Sequence, residues 1–135
     1  MATETKQRYI EAVGRRKTAV ARVRITPATK NTFVVNEKDV KEYFVTDELQ
    51  SIAQEAISKS EVGEKFTVTV RVSGGGIHSQ AEAVRHGLSR TLVERDENIK
   101  NTLKKLGFLK RDSRQVERKK FGLKKARKAP TWSKR

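Results

Sequence analysis

The sequence predicts an α+β fold: a single sheet-and-helix core of four strands and several helices, followed by a long basic C-terminal tail. Three observations predict it. Phe66, Val68, Val70 and Val72 alternate with Thr67, Thr69 and Arg71, the period-2 pattern of a half-buried strand. Leu49, Ile52, Ala53, Ala56 and Ile57 recur at i, i+3, i+4, i+7 and i+8, the apolar stripe of an amphipathic helix. Charge is divided unevenly, because residues 110–135 hold twelve Lys or Arg against two acids, a net of +10 out of the chain's +15.

Taken in order, residues 1–6 are polar and are expected to be loose. Residues 9–13 and 19–25 read as two strands. In the second, Ala19, Ala21, Val23 and Ile25 alternate with Val20, Arg22 and Arg24, which gives a basic outer face. Gly14-Arg15-Arg16-Lys17-Thr18 between them reads as a turn carrying three cations. It is either a solvated hairpin loop or a phosphate clamp, and the recurrence of positive charge on Arg22 and Arg24 favours the clamp. Residues 27–31 form a turn and 32–35 a short third strand. Val40, Tyr43 and Phe44 have helical spacing within 39–44. The helix at 49–57 is capped by Thr46 or Asp47, and a turn around Gly63 leads to the strand at 66–72.

That strand ends in Gly74-Gly75-Gly76, and a helix follows with Ile77, Ala81, Val84, Leu88 and Leu92 as its stripe. Ser79 and Glu82 have capping-box spacing. Strand, glycines and helix start can present backbone N–H groups to a phosphate. The same glycines also suit a plain loop that needs positive φ or close packing. No Gly-Lys-Ser/Thr follows, so this is not a nucleotide-triphosphate loop. A last helix spans 96–106, with Ile99, Leu103 and Leu106 inward and Gly107 as its stop. Phe108 and Leu109 pack back before the tail leaves.

The 135 residues are one domain, a globular body over 1–111, plus an appendage over 112–135. From Asp112 onward only Val116, Phe121, Leu123 and Trp132 are large and apolar. They cannot offset an ordering entropy of about 1–2 kcal/mol per backbone residue. The tail is therefore expected to be disordered or extended alone and to order on a polyanion. Short helices at 115–120 and 123–128 are compatible with the sequence, and Gly122 and Pro130 forbid a long one. Phe121 and Trp132 serve either as base-stacking rings or as hydrophobic anchors.

No apolar run approaches a membrane span, and the tail has too few apolar residues for a membrane-active helix. The N-terminus carries no signal core or presequence, so the chain is expected to be uncleaved and cytoplasmic. With no cysteine, there is no disulfide framework and no thiolate metal site. His78 and His86 lack companions for a metal, since zinc needs three or four closely spaced ligands. No nucleophile–base pair and no carboxylate pair in apolar surroundings is present, so an enzyme, including an RNA-processing one, is not expected. No cofactor is implied.

Four separated motifs then carry a resemblance: residues 13–23 (VGRRKTAVARV); Gly74-Gly75-Gly76 with Gln80-Ala81 and Val84-Arg85-His86-Gly87-Leu88-Ser89-Arg90; residues 111–120 (RDSRQVERKK); and the terminal Ser133-Lys134-Arg135. In this order they resemble the ninth-protein family of the bacterial small ribosomal subunit, from about Tyr9 to the C-terminus. The resemblance implies a body similar to the second domain of ribosomal protein S5, a four-stranded sheet with helices on one side and a left-handed crossover. It implies binding to 16S rRNA in the 30S head, beside neighbouring head proteins. It also implies a tail that threads rRNA to the anticodon stem-loop of peptidyl-site tRNA. Two places depart from the family pattern. Ser79 and Glu82 stand where glycines are frequent, and Thr131-Trp132 stands where Gln with Phe or Tyr is usual.

The expected rRNA contacts are Arg15, Arg16, Lys17, Arg22, Arg24, Gly74, Gly75, Gly76, Arg85 and Arg90 in the body. In and before the tail they are Arg111, Arg114, Arg118, Lys119, Lys120, Lys124, Lys125, Arg127 and Lys128. Ser133, Lys134 and Arg135 are the expected tRNA contacts. Most should be phosphate contacts, which position without reading sequence.

Overall fold

The computed structural model describes residues 9–61 and 63–132. Residues 1–6, expected to be loose, lie outside the described residues. The first two strand signals close into an antiparallel hairpin, β1 (Ile10–Arg16) and β2 (Ala19–Pro27), with Arg16 opposite Ala19. The connection is therefore only Lys17-Thr18, with Lys17 at φ 52°. Gly14, Arg15 and Arg16, expected in the loop, belong to the ladder instead. Charge density made them look like a loop, whereas pairing with β2 continues to the last possible residue.

β2 also pairs antiparallel with β5 (Phe66–Ser73), and β5 pairs parallel with β3 (Thr32–Val35). A parallel pair needs a long crossover. It is supplied by α1 (Val40–Tyr43) and α2 (Asp47–Ser60). A two-residue β4 (Lys38–Asp39) folds back on β3, so the sheet has five strands in the order β1-β2-β5-β3-β4, where four were expected. Its turn is Asn36-Glu37, both with positive φ (49° and 67°), the conformation of a tight hairpin. Two residues are too few for a periodic pattern to reveal.

Thr46 caps α2, its Oγ1 accepting from the Leu49 N–H at 3.4 Å. The helix α3 (Ile77–Arg95) starts at Gly76 without a side-chain cap. The Ser79–Glu82 capping box is thus not formed: Ser79 is buried within the helix and Glu82 pairs with Arg16. The last helical stretch is a 3-10 turn (Glu97–Ile99) running into α4 (Lys100–Lys105), and Gly107 follows at φ 79°.

The helices pack on one side of the sheet. α3 lies along β1 and β2, α2 lies against α3, and α4 lies against α2. Ala21, Val23, Ile25, Val68, Val70, Ala81, Val84, Leu88, Leu92 and Leu103 are buried in this layer, with Phe44 from the crossover. Each of the larger side chains contributes about 1.5–3 kcal/mol by leaving water. The expected stripe of α3 is buried at Ala81, Val84, Leu88 and Leu92, whereas Ile77 is 47% exposed in the first turn. Leu106, expected inward, is 43% exposed beyond the end of α4. No helix among the described residues is long and apolar enough to cross a membrane.

Candidate nucleic-acid interface

Among the described residues, no helix packs on the other side of the sheet. Register puts Glu11, Val13 and Arg15 of β1, Val20, Arg22 and Arg24 of β2, and Thr69 and Arg71 of β5 on that outer face. Arg22 and Arg24 are both held by Glu11, each Nε lying 3.0 Å from one of its carboxylate oxygens. The Arg24 guanidinium also lies over the Tyr9 ring, 4.6 Å from its centroid. Arg71 was read only as the polar half of an alternation. The same alternation, once paired with β2, sets it directly across from Arg22. Register, which the sequence does not display, was the missing step.

At one end of this face stand Arg15, Lys17 and the start of α3, with Arg15 and Lys17 exposed. Gly74 and Gly75 have φ of 76° and 62° and press on the β1–β2 turn. A Cβ on Gly74 would lie 2.6 Å from the Thr18 carbonyl oxygen. These two glycines therefore have a packing role whatever they bind. Gln80 ties down the glycine connection between β5 and α3, donating from Nε2 to the Gly74 carbonyl at 3.0 Å and accepting from the Tyr43 hydroxyl at 2.6 Å.

Besides Arg22 and Arg24, three further body cations of the expected set have partners within the fold. Arg16 points to the helix side, where Nε meets Glu82 at 2.6 Å, Nη2 lies 3.5 Å from Asp112, and Nη1 donates to the Arg114 carbonyl at 2.7 Å. Arg85 pairs with Glu55 at 2.9 Å and stacks on Phe108. Arg90 donates from Nη1 to the Val13 carbonyl at 2.6 Å on the open edge of β1. The Arg15 N–H on that edge donates to His86 Nδ1 at 3.2 Å. Together, Arg90 and His86 occupy an edge that would otherwise offer free strand-pairing groups.

His86 is half-buried, and burial lowers its pKa below the ordinary 6.5. The positive charges of Arg90 and Arg111 push the same way, while the Leu109 backbone opposes. Its role was missed because a lone histidine in a sequence shows no partner.

From Arg111 to Trp132 the chain has neither helix nor strand, so the two short helices compatible with its sequence are not formed. Arg111 reaches toward the Lys17 carbonyl at 3.5 Å. Arg114 grips Asp112 at 2.8 Å and holds that carboxyl far below the usual carboxylate range. Glu117 pairs with Lys120 and with Arg127, the latter at 2.8 Å. Arg118, Lys119, Lys124, Lys125 and Lys128 are exposed, as are Phe121 (100%) and Trp132 (81%). Ser133, Lys134 and Arg135 lie outside the described residues.

A sheet backed by helices on one face and cationic on the other, followed by a cationic segment, has the charge distribution of the class of proteins that associate with polyanions. The family model of ribosomal protein S9/S16 matches residues 14–135, and the chain belongs to that family. Its members are structural constituents of the ribosome that bind rRNA, not a family of enzymes.

Proposed function

We propose that this chain is the bacterial-type S9 member, a constituent of the small subunit that binds 16S rRNA in the 30S head. On this reading the protein is cytoplasmic and sits beside other head proteins. The body, residues 1–111, docks by its outer sheet face and by the β1–β2 turn with the start of α3. The tail, 112–135, follows rRNA and brings Ser133, Lys134 and Arg135 to the anticodon stem-loop of peptidyl-site tRNA. The observation that carries the reading is that the family match runs through the whole cationic segment to residue 135. A match that spans the basic run supports reading it as part of the shared pattern. The exposure of Arg118, Lys119, Lys124, Lys125, Arg127 and Lys128, and of Phe121 and Trp132, supports the same view, since none of these side chains packs into the core.

Arg16, Arg85 and Arg90 act here mainly by shaping the docking surface. Arg15, Lys17, Arg22 and Arg24 supply body cations for phosphate, and Arg111, Arg114, Arg118, Lys119, Lys120, Lys124, Lys125, Arg127 and Lys128 supply those before and within the tail. Specificity comes from RNA shape and from fit to neighbouring proteins.

Sedimentation of lysate at high salt tests the assignment. Co-sedimentation with 30S particles at fixed stoichiometry is expected, because a tail enclosed by folded RNA does not wash off. Release into the light fractions refutes it. Deleting Ser133–Arg135 should leave assembly intact and weaken peptidyl-site tRNA binding by about 1–3 kcal/mol, the scale of one or two charge-assisted hydrogen bonds. Unchanged tRNA affinity in assembled subunits would remove the tRNA role.

A further inference from the structure

Arg22 and Arg71 face each other directly across the antiparallel β2–β5 pair. Side chains so placed start only about 5 Å apart at Cβ, and like charges there destabilise a sheet. One step along, Arg24 faces Thr69. These four residues line a shallow depression of about 240 Å³ on the outer face. Among the described residues a single carboxylate, Glu11, serves the group, and it engages Arg22 and Arg24 at 3.0 Å each. Arg71 has no ion pair or hydrogen bond among the described residues. Two guanidiniums are therefore oriented from behind, and a third stands across from them with its donors unused.

We infer that Arg22, Arg24, Arg71 and Thr69 form a cradle for a phosphodiester group of RNA on the outer face of the sheet. This rests on the reading of the chain as an rRNA-binding protein, and it adds Arg71 and Thr69 to the binding residues. Planar guanidinium forks match phosphate oxygens bidentately, which a lysine cannot do. Thr69, which lines the same depression, adds a hydroxyl donor. A bound phosphate also relieves the Arg22–Arg71 repulsion, so the site is least stable when empty. Glu11 keeps the forks of Arg22 and Arg24 in place but does not reach across to Arg71, leaving the open side for the ligand.

The test uses the full chain, a twelve-residue oligouridylate and a fluorescence-anisotropy salt series, with Arg71→Thr, Arg71→Lys and the distant α2 variant Lys59→Gln. Arg71→Thr should bind about 10- to 100-fold more weakly, the scale of a charge-assisted hydrogen bond. Its log–log salt slope should be shallower by about 0.7, one phosphate on a single strand. Its thermal midpoint should rise, because the like-charge pair is gone. Arg71→Lys should keep the slope but not the full affinity, and Lys59→Gln should match the parent protein. If Arg71→Thr matches the parent in affinity and slope while the parent binds RNA, the cradle is wrong and the rRNA reading stands. If the parent does not bind the RNA at all, both fall. Preferential binding of an acidic peptide through Arg71 would overturn RNA as the occupant.

Discussion

A Cβ built on Gly14 would lie 1.9 Å from the Ala83 carbonyl oxygen and 2.2 Å from the Gly87 nitrogen. The neighbours are helix backbone and cannot move aside, so Gly14→Ala should cost about 3 kcal/mol in urea unfolding, at the upper end of overpacking penalties. Gly87→Ala meets a Val23 methyl at 2.8 Å and the Gly14 nitrogen at 2.9 Å, and should cost less. An equal or reversed order would mean that the strand and helix can part freely. Gly14 was legible in sequence only as a turn glycine, because helix–strand approach is a property of the folded pair. His86 yields to the same logic. Its Nδ1 accepts from the Arg15 N–H, which requires the unprotonated nitrogen. With its pKa lowered below 6.5 by burial, the unfolded chain binds the proton first as pH falls. This contribution to stability is therefore present above pH 6.5 and is lost as pH falls through the window below it. His86→Asn keeps an acceptor near the Nδ1 position and removes the titration. Its thermal midpoint should fall less steeply than the parent's as pH drops from neutral toward 5, and an identical pH profile would exclude His86 as the group responsible.

The β3–β5 pairing is prolonged beyond the end of β3 by one side chain. Asn36 donates from Nδ2 to the Val72 carbonyl and accepts at Oδ1 from the Val72 N–H, both at 2.9 Å, imitating a further strand residue. Asn36→Ala removes both bonds and places alanine at φ 49°. It should destabilise the protein by about 2 kcal/mol, two hydrogen bonds at roughly 1 kcal/mol each. Chemical denaturation measures this directly, and a change near zero would show that the ladder does not need the mimic. Strands and helices with a clean period were legible: β2 and β5 alternate over their length, and α2 shows its stripe. What stayed hidden were elements without a period, such as β4, and the second buried row of α3. Ala83 and Gly87 face β1 and β2, but small residues carry too little hydrophobic signal to mark a face. The cationic outer face was half legible, because β2 displayed Arg22 and Arg24 while Arg71 needed the register.

For the molecule as a whole, we propose that the body folds without the tail. Arg16 links the two, touching Asp112 and the Arg114 carbonyl, but it also holds Glu82 within the body. Cutting the chain after Arg111 removes the first two contacts and keeps the third. Ion pairs near the surface are each worth about 0–1 kcal/mol. The buried side chains that define the core all precede the cut, the last being Phe108. A chain of residues 1–111 should therefore unfold cooperatively, with a free energy within about 1 kcal/mol of the full protein. RNA binding should behave differently. The removed segment carries ten Lys or Arg, and if each neutralises one phosphate, the log–log salt slope should lose about 7–9. Incomplete engagement would make the loss smaller in proportion. The two measurements separate the roles. Loss of cooperative unfolding would mean that the tail is part of the core and that the division at residue 111 is wrong. An unchanged salt slope in a folded 1–111 chain would mean that the body alone meets the RNA.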